Sequence, residues 1–255
     1  RDFCLSRGLG DVYKRQTYEA AESVEAWHSH ELSGGYIESI ATLPSENGGH
    51  DELFLLVRRL INGETKRYIE VMETGIEENA EGSEECFFVD SGLSYHGEKV
   101  SRVSGLDHLE GETVAVLADG AVQTEKVVQN GAIDLDTPAC IVHAGLPFTS
   151  VLQTMPLVGI GHDGISEGAT KRISGLLLRL YKTLGFSIGS SKHVERQSFR
   201  SSSDLMNAPP ALFSGDKKVS FCAQWERLSD IRIEQDQPLP LTVLGIFPLV
   251  STNRI

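Results

Sequence analysis

The chain has 255 residues, of which 40% are hydrophobic and 23% charged, ordinary values for a globular protein. Its 36 acidic and 23 basic side chains give a net charge of −13. This balance argues against a duplex-binding surface, because affinity for nucleic acid comes largely from Lys and Arg neutralising phosphates. No apolar run reaches the roughly 18 residues of a membrane-spanning helix, so no membrane span is predicted.

The first sixteen residues, "RDFCLSRGLGDVYKRQ", show neither the periodicity nor the capping residues of a folded element. They resemble the translated linker sequence that contaminates the ends of assembled library reads, and they contain no initiator Met or signal peptide. Residues 1–16 are therefore set apart from the fold as a linker artefact. The rest of the chain is expected to be a C-terminal fragment of a longer protein.

The four cysteines are scattered and form neither a CxxC pair nor a zinc-binding spacing. Free Cys is among the most buried residue types. The pattern therefore predicts reduced, buried thiols and no disulfide framework at Cys4, Cys86, Cys140 and Cys222.

Short strands separated by tight turns dominate the chain. Asn62-Gly63 separates "ELFLLVRRLI" from "ETKRYIEVME", and Asn-Gly is a strong hairpin signal because a type I′ turn needs positive φ at both central residues. Asp119-Gly120 and Asn130-Gly131 repeat the signal and predict a three-stranded antiparallel meander over residues 112–136. Gly34-Gly35 predicts one further hairpin, between "SVEAWHSHEL" and "YIESIATLP".

Three polar stretches divide the chain. The acidic residues 73–86 indicate a solvated linker, residues 159–171 a second boundary, and residues 190–210 a mobile loop or insertion. The expected domains, all of antiparallel β-structure, are residues 17–75, residues 76–158 and residues 159–255.

One segment, "KRISGLLLRLYKTLG" at 171–185, fits two secondary structures. Its apolar residues fall on a helical stripe, whereas Gly175 and the surrounding strands favour β-structure. We predict a strand and keep the helix as the alternative.

Residues 107–112, "DHLEGE", concentrate polar side chains ahead of an apolar strand. A metal site would need converging His and carboxylate ligands, but the stretch has no HExxH or EF-hand spacing. The favoured interpretation is a polar corner in which Gly105 and Gly111 supply the turns. The polar residues of this corner, which a metal site would use as ligands, are Asp107, His108, Glu110 and Glu112.

The stretch "GISEG" at 164–168 matches the nucleophile elbow of α/β-hydrolases. That elbow needs an acid and then a histidine downstream, but Glu167 is the only acid between Ser166 and His193. We interpret the match as chance, in a polar loop.

Three other histidines are considered as possible metal ligands. His28 and His30 would share one face of a strand, with His50 as a conceivable third ligand. Ordinary surface histidines are the favoured interpretation, and His143 is expected to pack or hydrogen-bond in the interior. No catalytic, cofactor-binding or metal-binding residue is assigned, and no cofactor is expected.

Several segments, in this order, resemble the C-terminal part of the tail nozzle (tail tubular or DNA-stabilisation) proteins of tailed bacteriophages and prophages. The likeness begins with "WHSHELSGGYIESIATLP" and "DELFLLVRRLINGETKRYIEVME", which resemble the last blade of the family's β-propeller. It continues through "FVDSGLSYHGEKVSRVSGLDHLEGETVAVLADGAV" and "ACIVHAGLPFTSVLQTMPL". It ends with "TKRISGLLLRLYKTLG" and "IRIEQDQPLPLTVLGIFP".

The resemblance implies the end of a β-propeller followed by β-barrel or sandwich-like domains. It also implies a structural subunit and not an enzyme: one copy in a ring, expected to be a hexamer, at the tip of a virion tail that is assembled in the host cytoplasm. Its partners would be further copies, other tail proteins, and DNA that passes without sequence-specific binding. The alternative is a receptor- or carbohydrate-binding β-module of a tail fibre or adhesin, and a third, less favoured, is a hydrolase fragment.

Overall fold

The computed structural model describes residues 2–3, 12–19, 21, 23–44, 51–73, 75–76, 82–158, 160–161, 164–165, 169–202, 208–221 and 224–253. These residues form twenty strands, one 3₁₀ turn at Asp107–Leu109 and no α-helix. They build several small antiparallel sheets, and none of the sheets in this described part of the chain is closed. The predicted all-β class is confirmed.

In chain order the strands are β1 (Asp2–Phe3), β2 (Val12–Glu19), β3 (Val24–Glu31), β4 (Gly35–Leu43), β5 (Glu52–Ile61), β6 (Glu64–Met72), β7 (Asp90–Ser104), β8 (Thr113–Ala118), β9 (Ala121–Val122), β10 (Lys126–Val127), β11 (Ala132–Leu146), β12 (Ser150–Gln153), β13 (Ile160–Gly161), β14 (Gly164–Ile165), β15 (Thr170–Thr183), β16 (Phe186–Ser190), β17 (His193–Gln197), β18 (Phe213–Ser220), β19 (Arg232–Gln235) and β20 (Thr242–Asn253).

The chain divides into two compact units. Unit 1 comprises Arg1–Gly75, Val89–Val116 and Gln123–Phe148, and unit 2 comprises Ile76–Phe88, Leu117–Val122 and Thr149–Ile255. The chain first passes from unit 1 to unit 2 after Gly75 and returns to unit 1 at Val89, and the predicted domain boundaries stay predictions. The predicted segments 17–75 and 76–158 both fall largely within unit 1.

Unit 1 contains the sheets β1-β2-β3 and β4-β5-β6 and most of the sheet β10-β8-β11-β7, in which β9 also pairs with β8. Alternate residues of β5 are buried, as expected for a strand with one face on a core. They pack with Ile37 and with Tyr13 of β2. Strand β2 thus begins inside the segment 1–16 that the sequence analysis sets apart, and the linker origin of that segment stays a prediction.

The three predicted Asn-Gly and Asp-Gly turns all have the expected backbone. In each pair both residues have positive φ: 49° and 77° at Asn62-Gly63, 45° and 74° at Asp119-Gly120, and 54° and 64° at Asn130-Gly131. The first turn joins β5 to β6 in a regular hairpin, and the second joins β8 to β9. These two predicted hairpins are confirmed.

The predicted meander over residues 112–136 is wrong in its strand order. After Asn130-Gly131 the chain does not continue along β10, because Ala132 pairs with Ser104 of β7 and β11 lies at the opposite edge of β8. A hydrogen bond of 2.9 Å from the Leu106 amide to the Gly131 carbonyl holds the turn against the preceding corner. The returning strand itself is split into β9 and β10.

The hairpin predicted at Gly34-Gly35 is also wrong, because β3 and β4 belong to different sheets. The connecting Ser33 is held from both sides. Its carbonyl accepts from the Arg59 guanidinium, and its amide donates to Asp90 at 2.7 Å. These bonds direct the chain from one sheet to the next at the point where a tight turn was expected.

A buried ion pair fixes the inner side of the β4-β5-β6 sheet. The Arg59 side chain has no exposed area, and it donates to both carboxylate oxygens of Glu70 on β6 at 2.7 and 2.8 Å. Burial raises the pKa of nearby Asp90, while the bond from Ser33 and the charge of Arg59 lower it. A buried charge needs such partners, because an unpaired one is strongly destabilising.

Unit 2 contains sheets with strand orders β12-β19-β16-β17, β13-β14 and β18-β15-β20. The strand predicted over 171–185 is confirmed as β15, which pairs with β18 on one side and β20 on the other. Its inward residues form the main core of the unit with Phe186, Ile188, Ile231 and Ile233.

The polar segment 190–210 differs from the mobile loop that was predicted. Strand β17 occupies 193–197 and pairs with β16 through a two-residue turn at 191–192. Ser191 also donates its amide to the buried Asp230 carboxylate at 3.4 Å, which anchors this turn to the unit. The sequence predicted a loop here because the stretch is polar, and β17 buries little surface. Residues 203–207 lie outside the described residues.

Of the two cysteines in the described residues, Cys86 is buried and Cys140 is exposed, and both are thiols. The prediction of buried thiols is therefore confirmed at Cys86 and wrong at Cys140, which faces outward from β11. Burial, with Glu84 and Glu85 nearby, raises the pKa of Cys86 to about 11. Cys4 and Cys222 lie outside the described residues.

Candidate assembly surfaces

The polar stretch 107–112 folds as a corner of unit 1, as predicted. Gly105 and Gly111 have φ of 98° and 82°, which places both in the left-handed region that favours glycine. Leu109 is fully buried beneath the corner, and the Gly111 amide donates to the Val128 carbonyl at 3.1 Å. The corner is built on backbone hydrogen bonds and one apolar anchor.

The two glutamates of this corner each bind an Asn-Gly turn. Glu110 accepts from the amides of Asn130 and Gly131 at 3.0 and 2.7 Å, and Glu112 accepts from the Asn62 amide at 3.1 Å. The bonds from Gly131 and then Asn130 lower the pKa of Glu110. Their role in the structure is therefore to satisfy turn amides, which strained positive-φ turns expose.

The histidine and aspartate of the corner also have structural partners. His108 donates from Nε2 to the Ser91 carbonyl at 2.7 Å, and its own carbonyl accepts from the Tyr68 hydroxyl at 3.1 Å. Asp107 lies over Gly131, where an added Cβ would come within 2.3 Å of its Oδ1. A side chain at this position would displace Asp107 and would be strained by the φ of 64°.

His28 and His30 share a face of β3, as predicted, with ring centroids 4.8 Å apart. His30 also stacks on Tyr13 at 4.6 Å, nearly parallel. Burial, followed by the charges of His28 and Arg15, lowers the pKa of His30 to about 4. The ring is therefore neutral at physiological pH and packs as an aromatic group, while His50 lies outside the described residues.

His143 lies in the interior, as predicted. It is 3% exposed, and its Nδ1 hydrogen-bonds with the Ser94 hydroxyl at 2.7 Å across the β7-β11 pair. The His96 ring meets it edge-on, with centroids 5.8 Å apart. In the "GISEG" stretch, Ser166 and Glu167 lie outside the described residues; His193 is exposed on β17 beside Glu195.

The outward face of the β4-β5-β6 sheet is apolar, which the sequence analysis did not predict. Cross-strand rows place Ala41, Phe54 and Val71 side by side, and then Leu56 beside Ile69. Ile69 is 74% exposed, an extreme value for an isoleucine. The sequence does contain a signal for this apolar face, because the uninterrupted run "LFLLV" puts apolar side chains on both faces of β5.

Charged residues border these apolar rows, with Glu52 in the row beyond Phe54 and two arginines in the row beyond Leu56. Arg58 and Arg67 lie opposite each other in the next row, and both pair with Glu38, at 3.4 and 2.7 Å. The Arg58 guanidinium also stacks over the Tyr36 ring at 4.8 Å. Tyr and Arg around an apolar centre are the side chains enriched at protein–protein interfaces.

A second apolar surface lies on β20, the outer strand of the β18-β15-β20 sheet. The strand carries no charged residue, and Leu244, Phe247 and Leu249 are each about half exposed or more, at 62%, 48% and 59%. The opposite edge, β18, carries Asp216 and Lys217, the kind of charge that blunts an edge. The two edges of this sheet therefore differ in their capacity for contact.

Charge is unevenly distributed along the chain. Residues 1–148 contain 27 acidic and 11 basic side chains, whereas residues 149–255 contain nine acidic and 12 basic ones. The acidity of the chain therefore belongs to its first part, and the second part is close to neutral.

Comparison with known proteins gives no identification: no protein-family model matches the chain, and no curated protein matches it. Among the described residues, no helix has the length and apolarity to cross a membrane.

Proposed function

We propose that this chain is a structural subunit that acts by assembly and not by catalysis, of the tail nozzle class of tailed bacteriophages and prophages. The observation that carries the proposal is the apolar face of the β4-β5-β6 sheet with its charged border. The largest apolar patch on a protein surface is often functional and marks a contact site.

In this proposal the β4-β5-β6 sheet is the terminal blade of a propeller, and the later sheets belong to barrel- or sandwich-like domains. Six copies form a ring in the virion tail, in contact with other tail proteins, and the assembly takes place in the host cytoplasm. Open sheet edges support such a role, because an unpaired edge is a template for further pairing.

DNA passes through the ring without being bound. The excess of acidic side chains in residues 1–148 supports this part of the proposal, since carboxylates repel phosphate. Reversing acidic residues found on the channel wall is expected to slow or block DNA ejection. Unchanged ejection would contradict the passive-channel role.

Assembly is tested directly on the full chain. Native mass spectrometry and negative-stain electron microscopy across a wide concentration range are expected to show rings with a central channel. A chain that remains monomeric at every concentration would overturn the proposal. Sequencing the gene's neighbourhood tests the class, because a nozzle gene is expected beside portal or terminase genes.

A receptor- or carbohydrate-binding β-module is the second candidate. It is favoured by the two tryptophans, Trp27 and Trp225, which are 54% and 47% exposed. Exposed aromatic rings offer stacking faces and are otherwise uncommon at a surface. Glycan-array binding that is lost in Trp27→Ala or Trp225→Ala would establish this function in place of assembly.

A further inference from the structure

Two histidines of unit 1 lie side by side on one face of the β7-β11 pair. The register places His96 opposite Ile141 and His143 opposite Ser94, so the two histidines are diagonal neighbours on adjacent antiparallel strands. Their ring centroids are 5.8 Å apart, and a ring nitrogen of one lies within 4.8 Å of a ring nitrogen of the other. Two imidazoles this close can bind one metal ion after a small side-chain movement.

His143 is the fixed member of the pair. It is 3% exposed, and its Nδ1 hydrogen-bonds with the Ser94 hydroxyl at 2.7 Å. A serine hydroxyl accepts as well as donates, so it suits the tautomer that carries its proton on Nδ1 and a lone pair on Nε2. Histidines that bind metals characteristically have such a partner on the second ring nitrogen, because it fixes both the tautomer and the orientation of the ring.

His96 is the adaptable member of the pair. It is exposed on β7, so an ion in solvent can reach its ring and the side chain can rotate. A tetrahedral zinc ion binds nitrogen at roughly 2.0–2.1 Å, which places two ligand nitrogens roughly 3.4 Å apart. A rotation of the exposed His96 side chain closes the remaining distance without a movement of either strand.

The two side chains also select the class of ion. Neutral imidazole binds the transition-metal dications of zinc, copper and nickel, whereas calcium and magnesium prefer oxygen ligands. We propose that His96 and His143 bind one zinc ion, with water in the other positions of its tetrahedral shell. The ligands come from two strands that meet only in the folded chain, so bound zinc clamps β7 to β11 and stabilises the fold by mass action. This site goes beyond the proposed assembly function and does not depend on it.

Zinc binding to the full, untagged chain is measured by isothermal titration calorimetry. We expect the wild-type chain to bind zinc and His96→Gln to weaken that binding by at least about ten-fold, because even the loss of a group that orients a metal ligand costs about 10- to 100-fold in affinity. His193→Gln is the matched control. His193 is also an exposed histidine on a strand, β17, and its replacement is expected to leave zinc binding unchanged.

Ser94 supplies a second test that leaves both ligands in place. Ser94→Ala removes the hydroxyl that orients His143 and is expected to lower zinc affinity about ten-fold, whereas Ser94→Thr keeps a hydroxyl and is expected to retain the affinity. Thermal melts give an independent readout, because excess zinc is expected to raise the melting temperature of the wild-type chain and not that of His96→Gln.

His28 and His30 on β3 are the rival pair, and the double variant His28→Gln/His30→Gln is expected to bind zinc as the wild-type chain does. Zinc binding that is lost in this double variant and kept in His96→Gln would assign the ion to β3 and overturn the inference. A wild-type chain that does not bind zinc would overturn it as well. None of these measurements reads self-association, so the proposed assembly function stands or fails separately.

Discussion

At the scale of single residues, carboxylates act as hydrogen-bond acceptors for turns. Glu110 and Glu112 lie in what the sequence presents as a potential metal-binding cluster, yet each holds the amide of an asparagine in an Asn-Gly turn. A cluster of acids next to glycines can therefore indicate capped turns as well as a ligand set. The distinction depends on partners distant in sequence, which a local pattern does not contain.

Replacing Glu110 is expected to lower the thermal stability of the chain at neutral pH. In Glu110→Gln one amide group faces the Asn130 or Gly131 N–H, so a repulsive contact replaces an accepted hydrogen bond. The folded-state pKa of Glu110 is lowered. Its contribution to folding stability is therefore fully present at pH values above the usual carboxyl pKa, and it is lost as the pH falls through the folded-state pKa. Thermal melts should show that Glu110→Gln has a melting temperature a few degrees below that of the wild-type chain at neutral pH, and that this difference disappears in acid. A gap that stays constant with pH would contradict this assignment.

Arg59 gives the largest predicted single-residue effect. Arg59→Ala leaves Glu70 largely buried and without its cation, which costs about 3–5 kcal/mol of unfolding free energy. The double variant Arg59→Met/Glu70→Met is expected to recover much of that loss, because no unpaired charge remains. Urea unfolding measures the loss of stability in Arg59→Ala and its recovery in the double variant. The exposed Arg67→Ala is the control, and a comparable loss there would argue against burial as the cause.

At the scale of elements, the sequence predicted the hairpins that depend on local chemistry and failed where long-range contacts decide. Asn62-Gly63 needs only positive φ and forms its hairpin. Gly34-Gly35 was expected to form one as well, but Ser33 is bound by Arg59 and Asp90, and the chain enters a new sheet. Arg59 and Asp90 are distant from Ser33 in the sequence, so the local pattern around Gly34-Gly35 does not predict these contacts.

Strand β15 shows why its sequence also fits a helix. Ser174 is an extra residue between the pairs made by Ile173 and Gly175, so the inward side switches from odd to even positions. The inward residues Ile173 and Leu176 are consequently three apart, a helical spacing produced by a β-bulge. Apolar periodicity alone does not separate these two structures.

Two glycines of unit 2 are predicted to respond differently to alanine. At Gly175 an added Cβ would find its nearest neighbour at an ordinary 3.6 Å, so Gly175→Ala should be neutral or stabilise by about 0.4–1 kcal/mol through the unfolded state. At Gly120, φ is +74° and the Cβ would lie 2.5 Å from the Ser83 hydroxyl, so Gly120→Ala should destabilise by more than that. Chemical denaturation of the two variants, measured side by side, gives the change in unfolding free energy that each substitution causes. Equal behaviour would mean that the positive φ of Gly120 is not essential.

At the scale of the whole molecule, charge opposes association and apolar surface favours it. A net charge of −13 on each copy repels its neighbours, so contacts must be local, apolar and bordered by cations. The outward face of the β4-β5-β6 sheet offers such local apolar rows, with Arg58 and Arg67 at one end and Glu52 at the other. The sequence predicted an assembling β-protein from resemblance, but the apolar rows on the outward face of the β4-β5-β6 sheet became evident only from the strand register.

Self-association is expected to strengthen as pH falls from neutral toward the isoelectric point of about 5.0. Histidines ordinarily gain positive charge over this range and the carboxylates begin to be protonated, so repulsion between copies decreases while the apolar contacts are unchanged. Static light scattering against pH measures the effect, with added salt at neutral pH as a second way to screen repulsion. Scattering that is flat over the whole range would show that charge does not control association.

The hydrogen bond from Gly131 to Glu110 has a consequence for the chemical ageing of the protein. Asn-Gly sequences deamidate readily, because the glycine nitrogen attacks the asparagine side chain and closes a succinimide. At Asn130-Gly131 that nitrogen donates to a carboxylate at 2.7 Å, which holds it away from the attack. The glutamate that shapes the turn is therefore also expected to slow the turn's conversion to isoaspartate.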